Sequence, residues 1–206
     1  MSRRRTDPSI AEISDQASRC ADLAALGEVM RHCVACAELA AARTNVVVGD
    51  VVPGARLLVV GEAPGATEDK YGRPFVGKGG QLLDELLERA GLARAEISVL
   101  NVLKCRPPAN RTPTRAEATR CARWLDRQVE LLDPPVLLTL GRTALTWALG
   151  AAVTLAQARG LVHEWRGRRL VASYHPSAAI RFGPNGEPRQ ALEADLRFVA
   201  ETLACS

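Results

Sequence analysis

The stretch Gly61 to Gly80 reads Gly-Glu-Ala-Pro-Gly-Ala-Thr-Glu-Asp-Lys-Tyr-Gly-Arg-Pro-Phe-Val-Gly-Lys-Gly-Gly, and its flanks restrict what the chain can build around it. Upstream, Ala55-Arg56-Leu57-Leu58-Val59-Val60 has the length and β-branched content of a buried parallel strand. Downstream, Gln81-Leu82-Leu83-Asp84-Glu85-Leu86-Leu87 places its apolar residues at helical spacing, and Gly91 supplies a helix stop. The unit is therefore a strand, a long loop and a helix. Loops leaving the carboxyl ends of parallel strands are where open α/β sheets bind ligands. This one combines closely spaced Gly and Pro with Glu62, Glu68, Asp69 and the lone Phe75, which predicts a pocket.

The rest of the chain supplies further strands and helices in alternation. Residues 10 to 42 carry a helical Ala- and Leu-rich pattern, broken near Cys33-Val34-Ala35-Cys36. A second strand is expected over Ile97 to Leu103, delivering Asn101 near its carboxyl edge, followed by a Pro- and Asn-rich loop from Arg106 to Pro113. Thr114 and Glu117 form a capping-box pattern that opens a helix to Leu132, stopped by Asp133-Pro134-Pro135. Val136 to Leu140 reads as a third strand, and Gly141 leads into a helix ending at Gly150. Residues 161 to 173 form a ribbon around Arg166-Gly167-Arg168, with Leu170 to Ser173 as the fourth sheet strand. A loop runs to Pro188, and a last helix covers 189 to 204. This order predicts an α/β fold, a single-domain three-layer α/β/α sandwich around a four-stranded parallel sheet. Residues 9 to 206 would form the domain and residues 1 to 8 a disordered basic tail.

At 206 residues and 47% hydrophobic content, the chain can bury one good core. A net charge of +4 does not by itself establish a nucleic-acid partner, but its distribution is informative. Lys104, Arg106, Arg111, Arg115, Arg120, Arg123 and Arg127 face only Glu117 and Asp126 over the same segment, which suits either phosphates or a solvated helix face. The lysines, at positions 70, 78 and 104, all fall between residues 61 and 105, so ammonium groups have a local purpose there. No run is apolar enough to span a membrane, and Met1-Ser2-Arg3-Arg4-Arg5 precedes no signal-type apolar core, so a cytoplasmic location is expected. In that compartment the six cysteines read as ligands or buried thiols more than as disulfides. Cys33-x2-Cys36 is a two-thiolate bite used by zinc and iron-sulfur sites alike. Its partners Cys105 and Cys121 do not form a second Cys-x2-Cys, so a zinc ribbon fits poorly. Cys20 and Cys205 fall outside the pattern.

Gly61-Glu62-Ala63-Pro64-Gly65, the Glu68-Asp69 pair, Gly72-Arg73-Pro74-Phe75-Val76-Gly77-Lys78, Asn101-Val102-Leu103-Lys104-Cys105-Arg106-Pro107-Pro108, His175-Pro176-Ser177 and the four spaced cysteines anchor a likeness that covers roughly residues 24 to 204. Together they resemble the iron-sulfur uracil-DNA glycosylases, usually called family four. The resemblance implies that family's fold, a [4Fe-4S] cluster on Cys33, Cys36, Cys105 and Cys121, and uracil-containing DNA as partner of a monomeric enzyme. A flipped base needs an aromatic face, which Phe75 offers. Asn101 alone reads as a strand-end cap, yet its amide can match the acceptor and N–H of a uracil edge, and the resemblance favours that role. His175 would face the uracil carbonyl and stabilise the departing base. The backbone or Glu62 would hold the water and Glu68 would crowd the C5 edge. Better-known uracil glycosylases of other families place an Asp where this chain has Ala63, so catalysis would lean on strain and leaving-group stabilisation. Lys78, Lys104, Ser177 and Arg181 are the expected DNA contacts, with Ile180 as the wedge where the family often has Leu.

Two other readings compete: a non-catalytic iron-sulfur protein binding uracil-containing or single-stranded DNA, and a glycosylase for another deaminated base such as hypoxanthine. Nucleotide binding fits poorly, because Gly77-x-Gly79-Gly80 lacks the Walker spacing.

Overall fold

The computed structural model describes residues 8 to 205, so the expected tail, save Pro8, lies outside the described residues. Its centre is a five-stranded sheet in the order β2 (Ile97–Asn101), β1 (Leu57–Gly61), β3 (Val136–Leu140), β5 (Arg168–Ser173), β4 (His163–Trp165). The first four strands in that order pair in parallel, with Val59 beside Val99 and Leu138. The expected four-stranded parallel sheet thus gains a fifth, antiparallel member. The first arm of the 161 to 173 ribbon, His163–Trp165, pairs with Arg168–Leu170 at the sheet edge. Three residues with only Trp165 buried carry too little pattern to announce a strand.

Alternation along each strand divides the core into two. Leu57, Val59, Ile97, Val99, Val136, Leu138 and Val171 point to one face, where they meet α5 (Lys78–Arg89) and α10 (Glu187–Ala204) through Leu83, Leu86, Leu192 and Leu196. Leu58, Val60, Leu100, Leu137 and Leu170 point to the other, against α6 (Arg115–Leu132) and α7 (Gly141–Leu149) through Leu125, Val129 and Ala144. This is the anticipated three-layer arrangement. The amino-terminal helices α1 (Ile10–Ser18) and α2 (Leu23–Arg31) close a separate cluster on α6, with Ile13, Leu26 and Met30 around Trp124.

Two short helices occupy segments expected as loops, α4 (Ala66–Tyr71) and α9 (Pro176–Phe182), and a third, α8 (Leu155–Ala158), lies in a stretch to which the sequence assigns no element. The helix before the Cys33–Cys36 turn ends at Arg31, and α3 (Ala37–Ala42) restarts after it. The capping box is present as the sequence indicates: Glu117 N–H donates to Thr114 Oγ1 at 3.2 Å and Thr114 N–H to Glu117 Oε2 at 2.7 Å. The chain passes from β1 out to β2 and then back across β1 to β3, so the direction of winding reverses beside β1. The carboxyl ends at that reversal are where an open α/β sheet leaves a crevice. Glu62, Asn101, Gly141 and His175 follow or end β1, β2, β3 and β5 there.

Arg111 ties this edge together. Its guanidinium donates to Glu117 at 2.7 and 2.9 Å and to Glu38 of α3 at 3.1 Å. The Arg111 bond, together with the Thr114 capping contacts, holds the Glu117 carboxyl down at about 2. A depressed carboxyl contributes stability that is present above its unfolded value and is lost as pH falls towards the folded one. Glu117→Gln is therefore expected to be less stable than the parent at pH 7. In urea titrations the gap should close as pH falls from about 4.5 towards 2.

Candidate active site

A cleft of about 300 Å³ opens at the ends of β1, β2 and β5, and Glu62, Phe75, Asn101 and His175 are among its lining residues. The loop that walls it is organised by Glu68. One carboxylate oxygen accepts from the Val76 and Gly77 N–H groups at 3.1 and 2.7 Å, and the other from Gly65 N–H at 3.1 Å. Asp69 beside it is buried and accepts from the Thr44 and Asn45 backbone, anchoring α4 to the segment after α3. Charge-assisted bonds of this kind contribute roughly 1.5 to 3 kcal/mol each.

The loop then delivers Phe75 in a left-handed conformation, φ 53°. Only glycine tolerates what surrounds it. A Cβ on Gly80 would lie 1.7 Å from the Phe75 carbonyl oxygen, and one on Gly61 would lie 2.5 Å from both Phe75 Cζ and Asn101 Oδ1. The Phe75 ring, 8% exposed, faces the His175 ring at 5.7 Å between centroids. A larger cleft of about 760 Å³ lies on the far side of Phe75, but its Asp50, Arg73 and Arg94 satisfy one another at 3.0 to 3.3 Å. The smaller cleft is the one that presents unpaired groups.

Asn101 is 3% exposed and its Oδ1 is buried with no hydrogen-bond partner. Leaving such an acceptor unmatched costs roughly 1 to 3 kcal/mol, so the site is built for a donor from a ligand. His175 begins α9 as its cap. Ser177 N–H donates to His175 Nδ1 at 3.2 Å and Ser177 Oγ lies 2.8 Å from the same nitrogen. An Nδ1 that accepts a backbone N–H carries no proton, so the neutral ring holds its proton on Nε2. Burial lowers the His175 pKa to about 4, with the Glu68 charge pulling the other way, and the ring is neutral at pH 7. Glu62 Oε2 accepts from Thr143 Oγ1 on α7, a partner that nothing in the sequence pattern marks. Ala63 also lines the cleft, as do Pro107, Asn110 and Arg111 from the loop after β2.

Several expected roles change. Both Glu68 oxygens are committed to backbone amides, so Glu68 shapes the loop while it also lines the cleft. Lys104 is 2% exposed and turned inward, away from any phosphate backbone. Arg111, Arg123 and Arg127 of the basic segment pair with carboxylates of this chain, so the segment is no open cationic stripe. Lys78, Ser177, Ile180 and Arg181 do lie exposed, the first two on the cleft, and Phe182 beside them is 64% exposed, a surface aromatic the sequence reading passed over.

On the other side of the β2 loop Cys33, Cys36, Cys105 and Cys121, all free thiols, gather between α3, α6 and the β2 end. Arg43 Nη1 donates to Cys105 Sγ at 3.3 Å and Lys104 N–H to Cys121 Sγ at 3.2 Å. Burial pushes Cys105 up to about 11 and raises Cys121 further. Cys105 feels the charges of Cys33 and Cys36, and Cys121 those of Cys105 and Cys33. Among the described residues no three His, Cys, Asp or Glu side chains converge on one point as the ligands of a single ion do. Cys20 donates to the Gln16 carbonyl and Cys205 is exposed, both apart from this group.

An open α/β sheet whose crevice holds an unmatched amide oxygen, a neutral imidazole and a buried aromatic ring defines a receptor for a flat, hydrogen-bonding heterocycle. Residues 48–197 match the model of the Uracil DNA glycosylase superfamily, and the chain belongs to that family. It is 43% identical to the type-4 uracil-DNA glycosylase of Thermotoga maritima, over 82% of this chain and 88% of the relative. The type-4 enzyme of Archaeoglobus fulgidus is 38% identical over 85% and 92%. A type-5 uracil-DNA glycosylase of Thermus thermophilus is 38% identical over 61% and 66%.

Gly61→Ala provides the test of the pocket floor. The added methyl displaces the Phe75 ring or the Asn101 amide, and displacements of this order cost about 100-fold in rate. The variant is expected to keep the parent circular dichroism spectrum while losing activity on uracil-containing oligonucleotides by that factor.

Proposed function

We propose that this chain removes uracil from DNA by hydrolysing the N-glycosidic bond, leaving an abasic site, and that the cleft beside β1, β2 and β5 receives the flipped base. The observation that carries the reading is the buried, unmatched Asn101 Oδ1. Uracil brings an N3–H donor beside an O4 acceptor, which complements an amide, whereas cytosine presents an amino donor beside a bare acceptor. The base stacks on Phe75. As the bond breaks, positive charge grows on the sugar and negative charge on the base. The His175 Nε2–H, held by Ser177, donates to the carbonyl oxygen where that charge collects. Glu62, fixed at one oxygen by Thr143, keeps the other available to orient the water that adds to the sugar carbon. Ala63 supplies no carboxylate, so leaving-group stabilisation is the larger contribution.

The first turn of α5 opens on the cleft without a side-chain cap, so its N–H groups together with Lys78 receive a phosphate. Arg181 and Ser177 follow the same strand, and Ile180, 45% exposed, fills the space vacated by the base.

The four thiols support a [4Fe-4S] cluster on Cys33, Cys36, Cys105 and Cys121, in which each thiolate takes its own iron and the ligands do not meet at a point. The cluster would supply structural cross-linking between the amino-terminal helices and the β2 loop; no step at the base passes through it. Aerobically purified protein should be brown with iron bound. A colourless, folded protein containing zinc overturns this assignment. The reading is of a cytoplasmic monomer, in keeping with unpaired thiols, and no described helix is long and apolar enough to cross a membrane.

Two measurements test the chemistry. Single-turnover excision should stay level from pH 8 to about 5 and fall only near pH 4, because His175 works neutral and protonates there instead of near 6.5. His175→Ala should cost roughly 10² to 10³ in rate and leave that profile without its acid limb. Asn101→Asp replaces the donor by an acceptor and should nearly abolish uracil excision. Affinity for DNA at fixed salt should stay near the parent value, since phosphates dominate it. Excision near the parent rate would reduce Asn101 to a strand-end cap.

A further inference from the structure

Lys104 has no role at the cleft and no hydrogen-bond partner for its Nζ, although it is 2% exposed. A buried ammonium is retained only where a counter-charge meets it, and among the described residues no carboxylate pairs with Lys104. It stands instead beside sulfur: its backbone N–H donates to Cys121 Sγ at 3.2 Å and its sequence neighbour is Cys105. Two guanidinium groups complete the surroundings: Arg43 reaches Cys105 Sγ and the Cys33 carbonyl at 3.3 and 2.7 Å, and Arg120 reaches the Ala35 carbonyl, next to Cys36, at 3.5 Å. Lys104 is one of the chain's three lysines, set here beside two arginines. An ammonium is a compact point charge with three donors and fits a closed space that a planar fork would not.

We propose that Lys104 is the internal counter-charge of the iron-sulfur cluster, its ammonium offsetting, together with Arg43, the negative charge that four thiolates bring into the fold, and so retaining the cluster. The inference rests on the cluster assignment above. Partners around metal ligands that are not ligands themselves set affinity by roughly 10- to 100-fold, and a neutral side chain at 104 removes such a partner.

The test uses full-length protein loaded with iron and sulfide under anaerobic conditions. Lys104→Met keeps the side-chain volume and removes the charge. After a ferrous chelator is added, the visible absorbance of the variant should decay about 10- to 100-fold faster than that of the parent. The affinity of freshly loaded protein for an undamaged duplex at fixed salt should not change. Equal decay rates overturn the proposal, and so does unchanged decay with weakened DNA binding, which would return Lys104 to the phosphate backbone. Should the Met variant not fold, Lys104→Gln, neutral and polar, carries the same expectation of faster decay. A parent protein that takes up no iron fails the cluster assignment itself, an outcome distinct from a loaded parent and an equally durable variant.

Discussion

The clasp between the Glu68 carboxylate and the N–H groups of Gly65, Val76 and Gly77 closes the loop that makes the cleft. Without it the stretch from Gly61 to Gly80 is a long excursion with few backbone partners. With it, α4 is pinned at its first turn, Phe75 is turned inward and α5 starts where a phosphate can reach it. A carboxylate that looks available in the sequence thus has its oxygens engaged in building the site, while Glu62, which also lines the cleft, bonds Thr143 through one oxygen. Asp69 extends the same logic by binding the Thr44 and Asn45 backbone, so two adjacent acids secure opposite sides of one short helix.

In the proposed mechanism the groups around the cleft divide the work of recognition from that of bond breaking. Asn101 and Phe75 sit on or against the ends of β1 and β2, in the most constrained part of the molecule. His175 is placed by β5 and the start of α9, with its tautomer set by a bond only two residues away. A rigid floor for reading the base and a locally governed donor for the departing charge need no long relay between them. The thiol group lies beyond the β2 loop and touches this machinery through the chain that joins Asn101 to Cys105.

Strands β1, β2 and β3 and helices α6 and α7 were legible because uninterrupted apolar runs and a Thr-x-x-Glu cap are local signals. The cleft was legible for a second reason, since the strand-loop-helix order alone puts Gly61 to Gly80 at a sheet edge. Helix α9 escaped notice although Pro176 stands at its first position, a signal for a helix start as much as for a loop. The backbone bonds of Glu68 and the burial of Lys104 were not legible for a common cause: charge is written in the sequence, but the direction a side chain takes is not. For Lys104 a clue was present, as it directly follows the apolar pair Val102-Leu103 and precedes Cys105. For Glu68 the clue was its spacing three residues after Gly65, the position from which a carboxylate reaches back to a helix start. Thr143 had none, because its meeting with Glu62 is made only by the packing of α7 beside β1.

The unmatched oxygen of Asn101 bears on what happens after the bond is broken. On the proposed reading its complement belongs wholly to the base, as does the face that would lie on Phe75, and neither contact depends on the sugar. Free uracil would then satisfy the floor of the cleft as fully as uracil still joined to DNA, and the released base would compete with the next lesion.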